Sequence, residues 1–173
     1  AMKELVLGCG HNPYKRLFGA EDNQFYKDPT TVDIDRGAKP NVLWDLNNWP
    51  LPFPSDEFDE IHAYHVLEHL GAQGDAWLFL REWAEYWRVL KPGGMFFGIV
   101  PAEGHAGAWG DPGHVRVINP MTLVFLNQAE YAKQVGKTAM SDYRHYSYKV
   151  NFRPVFVEST EEELRFILKK EPM

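Results

Sequence analysis

Apolar residues along this chain fall in short runs between turn residues, with one longer stretch of helical period. Leu5-Val6-Leu7 is the first run, and it ends in Gly8-Cys9-Gly10, the pattern of a buried strand entering a tight turn. Residues 30–34, 41–45 and 58–64 predict three more short strands. Between the first two strands, residues 11–29 are polar and without period, a long loop of the kind that is commonly functional. From Asp75 to Leu90 the period becomes helical. Trp77, Leu80, Trp83, Trp87 and Leu90 fall on one face, and Arg81, Glu82, Glu85 and Arg88 on the other. Lys91-Pro92-Gly93-Gly94 stops that helix, because proline cannot extend it and glycine accepts a reversed backbone.

Residues 95–100 predict a fifth strand, followed by a loop with Gly104, Gly107, Gly110 and Gly113 three apart. Asn119 caps a second helix with Pro120 at its first position, and Gly136 ends it. Residues 152–158 and 163–169 predict an antiparallel pair that closes the sheet. The alternation predicts an α/β fold: an open, mostly parallel twisted sheet of about seven short strands, the last antiparallel, with helices on its faces. A length of 173 residues fits a single domain spanning 1–173.

Net charge is −6, so general nucleic-acid binding has no electrostatic support. Lys133, Lys137, Arg144, Lys149 and Arg153 read as a solvated surface. Cys9 is the one cysteine, which excludes an intrachain disulfide, and its glycine neighbours suggest packing rather than nucleophilic chemistry. No apolar run is long enough to span a bilayer and no signal peptide is visible, so a cytoplasmic, membrane-free protein is expected; Ala1 before Met2 reads as a cloning remnant.

Candidate chemistry gathers at strand ends. Gly8-x-Gly10 ends the first strand, Asp33 (with Asp35 beyond it) the second, and Asp45 the third. Ligands of open parallel sheets bind beyond the carboxyl ends of strands. A glycine turn lets backbone approach a ligand, a carboxylate on the next strand can accept from both ribose hydroxyls, and an acid one strand further can take an adenine amino group. Together these read adenosine. Asp35 is expected to serve a turn with Gly37.

The segments Leu5–Gly10, Thr31–Asp35, Trp44–Asn47, Leu51–Pro54, Phe58–Ile61, His65–Leu70 and Arg88–Gly94 resemble the class I, Rossmann-like S-adenosylmethionine-dependent methyltransferases of the type-11 kind. Asp111-Pro112-Gly113-His114-Val115-Arg116 is similar to a segment of one subgroup. The resemblance covers about residues 4–126. It implies S-adenosylmethionine as methyl donor and S-adenosylhomocysteine as product. Gly8, Cys9 and Gly10 would line the methionine portion, Asp33 would bind the ribose, and Ile34 would lie beneath the adenine. Asp45 and Leu46 would read the adenine edge, and His65 would stand near the methionine end. Two features depart from the family: 11–29 lacks a helical period after the glycine turn, and no helices precede the first strand.

The expected acceptor is a small molecule, methylated by direct in-line transfer. The Asn/Asp-Pro-Pro-Tyr signature of amine-methylating DNA enzymes is missing where Ala63-Tyr64-His65-Val66 stands, and no cysteine is placed for carbon-5 methylation of cytosine. An acceptor hydroxyl needs a base; the candidates, in order, are His114, His65 and His105. Three rivals are carried. A dinucleotide oxidoreductase wants a third glycine where Pro13 stands. A non-catalytic S-adenosylmethionine-binding module would keep the pocket without transfer. A zinc hydrolase could use His65-Val66-Leu67-Glu68-His69, the H-x-x-E-H pattern, but only on a sustained helix, and Gly71 and Gly74 break it. No metal ligand is therefore assigned. His62 and Trp77, Trp83 and Trp87 read as packing, Tyr14, Lys15 and Arg16 as solvated, and His105, Trp109, Asp111, His114 and Arg116 as a lid over the ligand.

Overall fold

The computed structural model describes residues 1–12, 14–18 and 24–173; Pro13 and residues 19–23 of the expected 11–29 loop lie outside the described residues. One seven-stranded sheet organises the molecule. Its strands are β1 (Glu4–Leu7), β4 (Pro29–Asp33), β5 (Val42–Leu43), β6 (Phe58–Tyr64), β7 (Leu90–Pro101), β8 (Phe152–Ser159) and β9 (Glu163–Lys170). Two further strands among the described residues, β2 (Tyr14–Lys15) and β3 (Gln24–Phe25), form a small antiparallel pair within the 11–29 segment.

Strand order in the sheet is β5-β4-β1-β6-β7-β9-β8. From β5 through β7 every pairing is parallel, and β9 alone runs against both neighbours. This is the expected α/β architecture with its antiparallel last strand. Chain order reverses between β1 and β6, which places the ligand crevice at their carboxyl ends.

Helix α1 (Ala76–Val89) starts where Asp75 accepts the Leu78 N–H as an N-cap. Trp83 and Tyr86 on α1 are fully buried with Phe96, Phe152 and Phe166 of the sheet. Trp83 lies 4.8 Å from Phe96, and Phe96 stacks on Phe166 at 6.2 Å. An aromatic of this size buries roughly 150–250 Å², so this cluster dominates the energy that fixes α1 on the sheet.

Several expectations need correction. Trp77 is 46% exposed, while Glu82 and Glu85 on the supposedly polar face are buried. Each acid is matched. Glu82 accepts from the two terminal Arg116 nitrogens at 2.6 and 2.8 Å, and Glu85 accepts the Leu51 N–H and the Arg88 guanidinium. The helix therefore buries a wider face than its apolar stripe. Lys91–Gly94 ends the helix but also belongs to β7, which runs through an irregularity opposite β6. The glycine-spaced loop contains a short helix, α2 (Ala106–Gly110). The single helix expected from Pro120 is two, α3 (Pro120–Val124) and α4 (Gln128–Gln134). Asn119 closes a capping box with Thr122, and a second cap, Asn127, restarts the chain. Lys15 is buried, because Glu4 and Glu60 hold its ammonium at 2.7 and 3.1 Å.

Candidate active site

The glycine turn sits at the switch point. Gly8 has φ +62, and a Cβ there would lie 2.7 Å from Val66 Cγ2, so only glycine lets the turn after β1 lie against the chain leaving β6. Its N–H bonds the Val32 carbonyl of β4 at 2.9 Å. Gly10, also at positive φ, donates its N–H to Asp33 Oδ2 at 3.1 Å. Asp33 Oδ1 receives the Asp35 N–H at 2.9 Å. Asp33 Oδ1 thus spends one lone pair on backbone and keeps one for a donor diol, while Oδ2 takes both the Gly10 N–H and the Cys9 thiol.

Asp35 serves the turn as expected, accepting Gly37 N–H at 2.7 Å. Cys9 Sγ lies 3.9 Å from Asp33 Oδ2, and burial, with the Asp33 charge beside it, pushes the thiol pKa up. That thiol is a packing group. Ile34 is 68% exposed at the end of β4, an apolar side chain left uncovered where a flat ring can lie. Asp45 lies two residues beyond β5, with Oδ1 accepting the Asn47 N–H. The Leu46 side chain is buried, so it meets a ligand only through its backbone. These residues fit a nucleoside: a glycine cradle, a carboxylate with a free lone pair on Oδ1, an exposed apolar platform and a second acid one strand over.

The structure separates the three candidate bases. His65, immediately after β6, has φ +55 and lies beside the Val66 that touches the glycine turn. Its Nε2 pairs with Glu163 Oε1 of β9 at 3.3 Å. Burial works to raise Glu163, but hydrogen bonds from Arg165 and His65 and their charges bring it below the usual carboxylate range. His105 caps α2, its Nδ1 accepting the Gly107 N–H at 3.0 Å; in the neutral ring the other nitrogen then carries the proton. His114 is turned inward, Nδ1 to the Ala108 carbonyl at 3.1 Å, with its ring against His69.

His65-x-x-x-His69 is not a helical pair. The segment is a left-handed residue followed by a 3-10 turn over Leu67–His69, and the two rings bond different partners. The zinc-hydrolase reading loses its geometric basis. His62, as expected, is packing: fully buried, stacked on Phe97 at 4.6 Å and bonded to Glu60 at 2.7 Å.

A cavity of about 660 Å³ opens one strand farther along the same rim, lined in part by Phe79, Trp109, Asn119, Met121, Phe125 and Tyr143. None of Gly8, Gly10, Asp33, Asp45 or His65 lines it. Sequence reasoning placed Trp109 here but missed Phe79, Met121 and Phe125, which read as ordinary helix apolars. Asn119–Thr122 and Arg116 shape its wall.

The strand order and the site at its reversal define a class I methyltransferase fold. A family model described as a methyltransferase domain matches residues 5–98, and the chain belongs to that family. No curated protein matches the sequence. Among solved structures, a SAM-dependent methyltransferase from Archaeoglobus fulgidus is similar at 18% identity and TM-score 0.60, covering 98% of this chain and 86% of that one. The N-methyltransferase NodS from Bradyrhizobium japonicum WM9, in complex with S-adenosyl-L-homocysteine, gives 14% identity and TM-score 0.56 over 99% and 79%. A 1,6-didemethyltoxoflavin-N1-methyltransferase from Burkholderia thailandensis, with bound 1,6-didemethyltoxoflavin and S-adenosylhomocysteine, gives 15% and 0.54 over 98% and 71%. At these identities the likeness carries the fold.

Proposed function

We propose that this protein transfers the methyl group of S-adenosylmethionine to a small-molecule acceptor, releasing S-adenosylhomocysteine. The observation that carries the reading is Asp33 held by Gly10 N–H at 3.1 Å at the sheet's reversal point, with Asp45 beyond the adjacent strand. Gly8, Cys9 and Gly10 would form the floor for the methionine portion. Asp33 would take the ribose hydroxyls, Ile34 would underlie the adenine, and Asp45 with the Leu46 backbone would read its edge.

The donor's sulfonium makes the methyl electrophilic when bound. The protein's own task is to hold the acceptor in line with it, worth up to ~7–11 kcal/mol in favourable cases. The 660 Å³ cavity supports a small acceptor, since such sites occupy roughly 300–1,000 Å³. For an acceptor that loses a proton, His65 ranks ahead of His114. Its ring is half exposed beside the glycine turn and its Nε2 faces the Glu163 carboxylate, which leaves Nδ1 as the accepting nitrogen, whereas the His114 ring is nearly buried against His69. The relatives bound to S-adenosylhomocysteine, one of them also to 1,6-didemethyltoxoflavin, support the same reading. No helix among the described residues is long and apolar enough to cross a membrane.

Incubating the protein with methyl-labelled donor and a metabolite library tests this. Label should appear in one low-molecular-weight product. Tight S-adenosylhomocysteine binding with no labelled product would leave a binding module instead.

A further inference from the structure

Among the described residues, two groups of carboxylate and imidazole come close enough to hold a cation, and they differ in whether one is supplied. In the first, Glu4, Glu60 and His62, the cation belongs to the chain: Lys15 Nζ sits between the two carboxylates. Glu4 Oε1 further takes the Asp28 N–H at 2.9 Å, and Glu60 Oε2 faces His62 Nε2. That cluster is complete.

The second is Glu68, His69 and His114, each offering a ligand atom within 4.8 Å of the others. No lysine or arginine enters it among the described residues. Arg116, buried close by in the chain, gives Nη1 and Nη2 to Glu82 and Nε to the Leu67 carbonyl. Glu68 is 3% exposed, and its Oε2 has no hydrogen-bond partner. A buried carboxylate oxygen left without a partner is costly, so a fold that keeps one has a place for a compensating ligand.

The imidazoles show which ligand. His69 Nδ1 lies 3.0 Å from the Gly113 carbonyl, and His114 Nδ1 lies 3.1 Å from the Ala108 carbonyl. A carbonyl only accepts, so both rings carry their proton on Nδ1 and present a bare Nε2 lone pair. Metal-ligating histidines are held this way, one nitrogen fixed by a backbone carbonyl and the other bound to the ion. Asp111 Oδ2 stands 3.5 Å from His114 Nε2 but lies outside the group of three whose ligand atoms are mutually close.

We propose that Glu68, His69 and His114 form a site for a divalent transition-metal ion of the zinc type. Two imidazoles with carboxylates suit a borderline ion rather than magnesium, which prefers all-oxygen sites. The ion would tie the turn after β6 to the 105–114 segment, bracing the rim between the nucleoside crevice and the cavity. This site excludes His65, which the linear H-x-x-E-H pattern would have recruited. It stands independently of the methyl-transfer reading.

Calorimetry of tag-free, chelator-stripped, dialysed protein with zinc chloride tests it, with magnesium chloride as control. One zinc per chain should bind and raise the melting temperature, and magnesium should not bind. His69→Gln and His114→Gln should each weaken zinc by about 100-fold or more, beyond the loss seen when only a supporting hydrogen bond is removed. His65→Gln should leave zinc affinity unchanged. Far-UV circular dichroism reports whether each variant folds, and Glu68→Gln, nearly isosteric, serves as a third ligand variant if a histidine variant does not. Absence of saturable zinc binding, or zinc affinity indifferent to folded ligand variants, would overturn the proposal.

Discussion

Gly8 and Val66 meet so closely that a methyl group on the glycine would stand 2.7 Å from the valine Cγ2. Two strands that are neighbours in space but 50 residues apart in sequence thereby share one wall of the crevice. Gly8→Ala adds both a clash and an unfavourable positive φ. It should destabilise the fold by about 1–3 kcal/mol and abolish measurable S-adenosylhomocysteine binding. Urea denaturation and calorimetry on the same sample read the two effects; wild-type stability would mean the turn can relax away from Val66.

The Arg116–Glu82 pair is almost wholly buried, and Tyr86 also donates its hydroxyl to Glu82 at 2.6 Å. Arg116→Ala strands that carboxylate away from water. A loss of about 3–5 kcal/mol is expected, read as a lowered urea midpoint. A loss below about 1 kcal/mol would show that water enters the site and hydrates Glu82.

Acid should weaken the β1–β6 region. Burial holds the His62 pKa below its ordinary 6.5 despite the Glu60 carboxylate beside it. Burial also works to raise Glu60, yet His62 and Lys15 bring it below its ordinary 4.5. In both cases the unfolded chain binds more protons than the folded one, so stability falls as pH drops. The histidine contribution begins to fade near pH 6.5, and the glutamate contribution disappears as pH falls through the range below 4.5. Melting temperatures between neutrality and pH 4 measure the slope. His62→Gln should flatten its upper part and also reduce the lower part, because the His62 contact is one of the two that hold Glu60 down.

If the acceptor loses a proton during transfer, His65→Gln should lower kcat by about 10²–10⁴-fold, the usual worth of a positioned base. Affinity for S-adenosylhomocysteine should change little. Glu163→Gln should give a smaller loss and shift the pH profile, because Glu163 faces the opposite ring nitrogen at 3.3 Å. An unchanged kcat in both would place proton removal elsewhere.

Much of the nucleoside side was readable from the chain because it depends on local rules. A strand, a glycine turn and an acid at each of two later strand ends are short patterns, and β6, β8, β9 and the Asn119 cap lie where those patterns put them. What escaped reading depends on pairings distant in sequence. Glu82 looks solvated on a helical wheel, and only the arrival of Arg116 makes its burial tolerable. Lys15 looks like loop charge until Glu4 and Glu60 enclose it. His114 was read as a base and His69 only as part of the H-x-x-E-H pattern. Their rings lie 4.7 Å apart because the 105–114 segment folds back over the turn after β6, which no periodicity announces. The break between α3 and α4 was missed because Asn127 reads as an ordinary polar residue within a helical run.

Asp33 carries the account, and calorimetry with S-adenosylhomocysteine on wild type and Asp33→Ala tests it most directly. Wild type should bind one equivalent, and the variant should lose about 1–3 kcal/mol of affinity, the scale for leaving a ligand's polar groups unpaired, while retaining its circular dichroism spectrum. Equal affinity in the two proteins would remove the carboxylate from the ribose and contradict the nucleoside site described here.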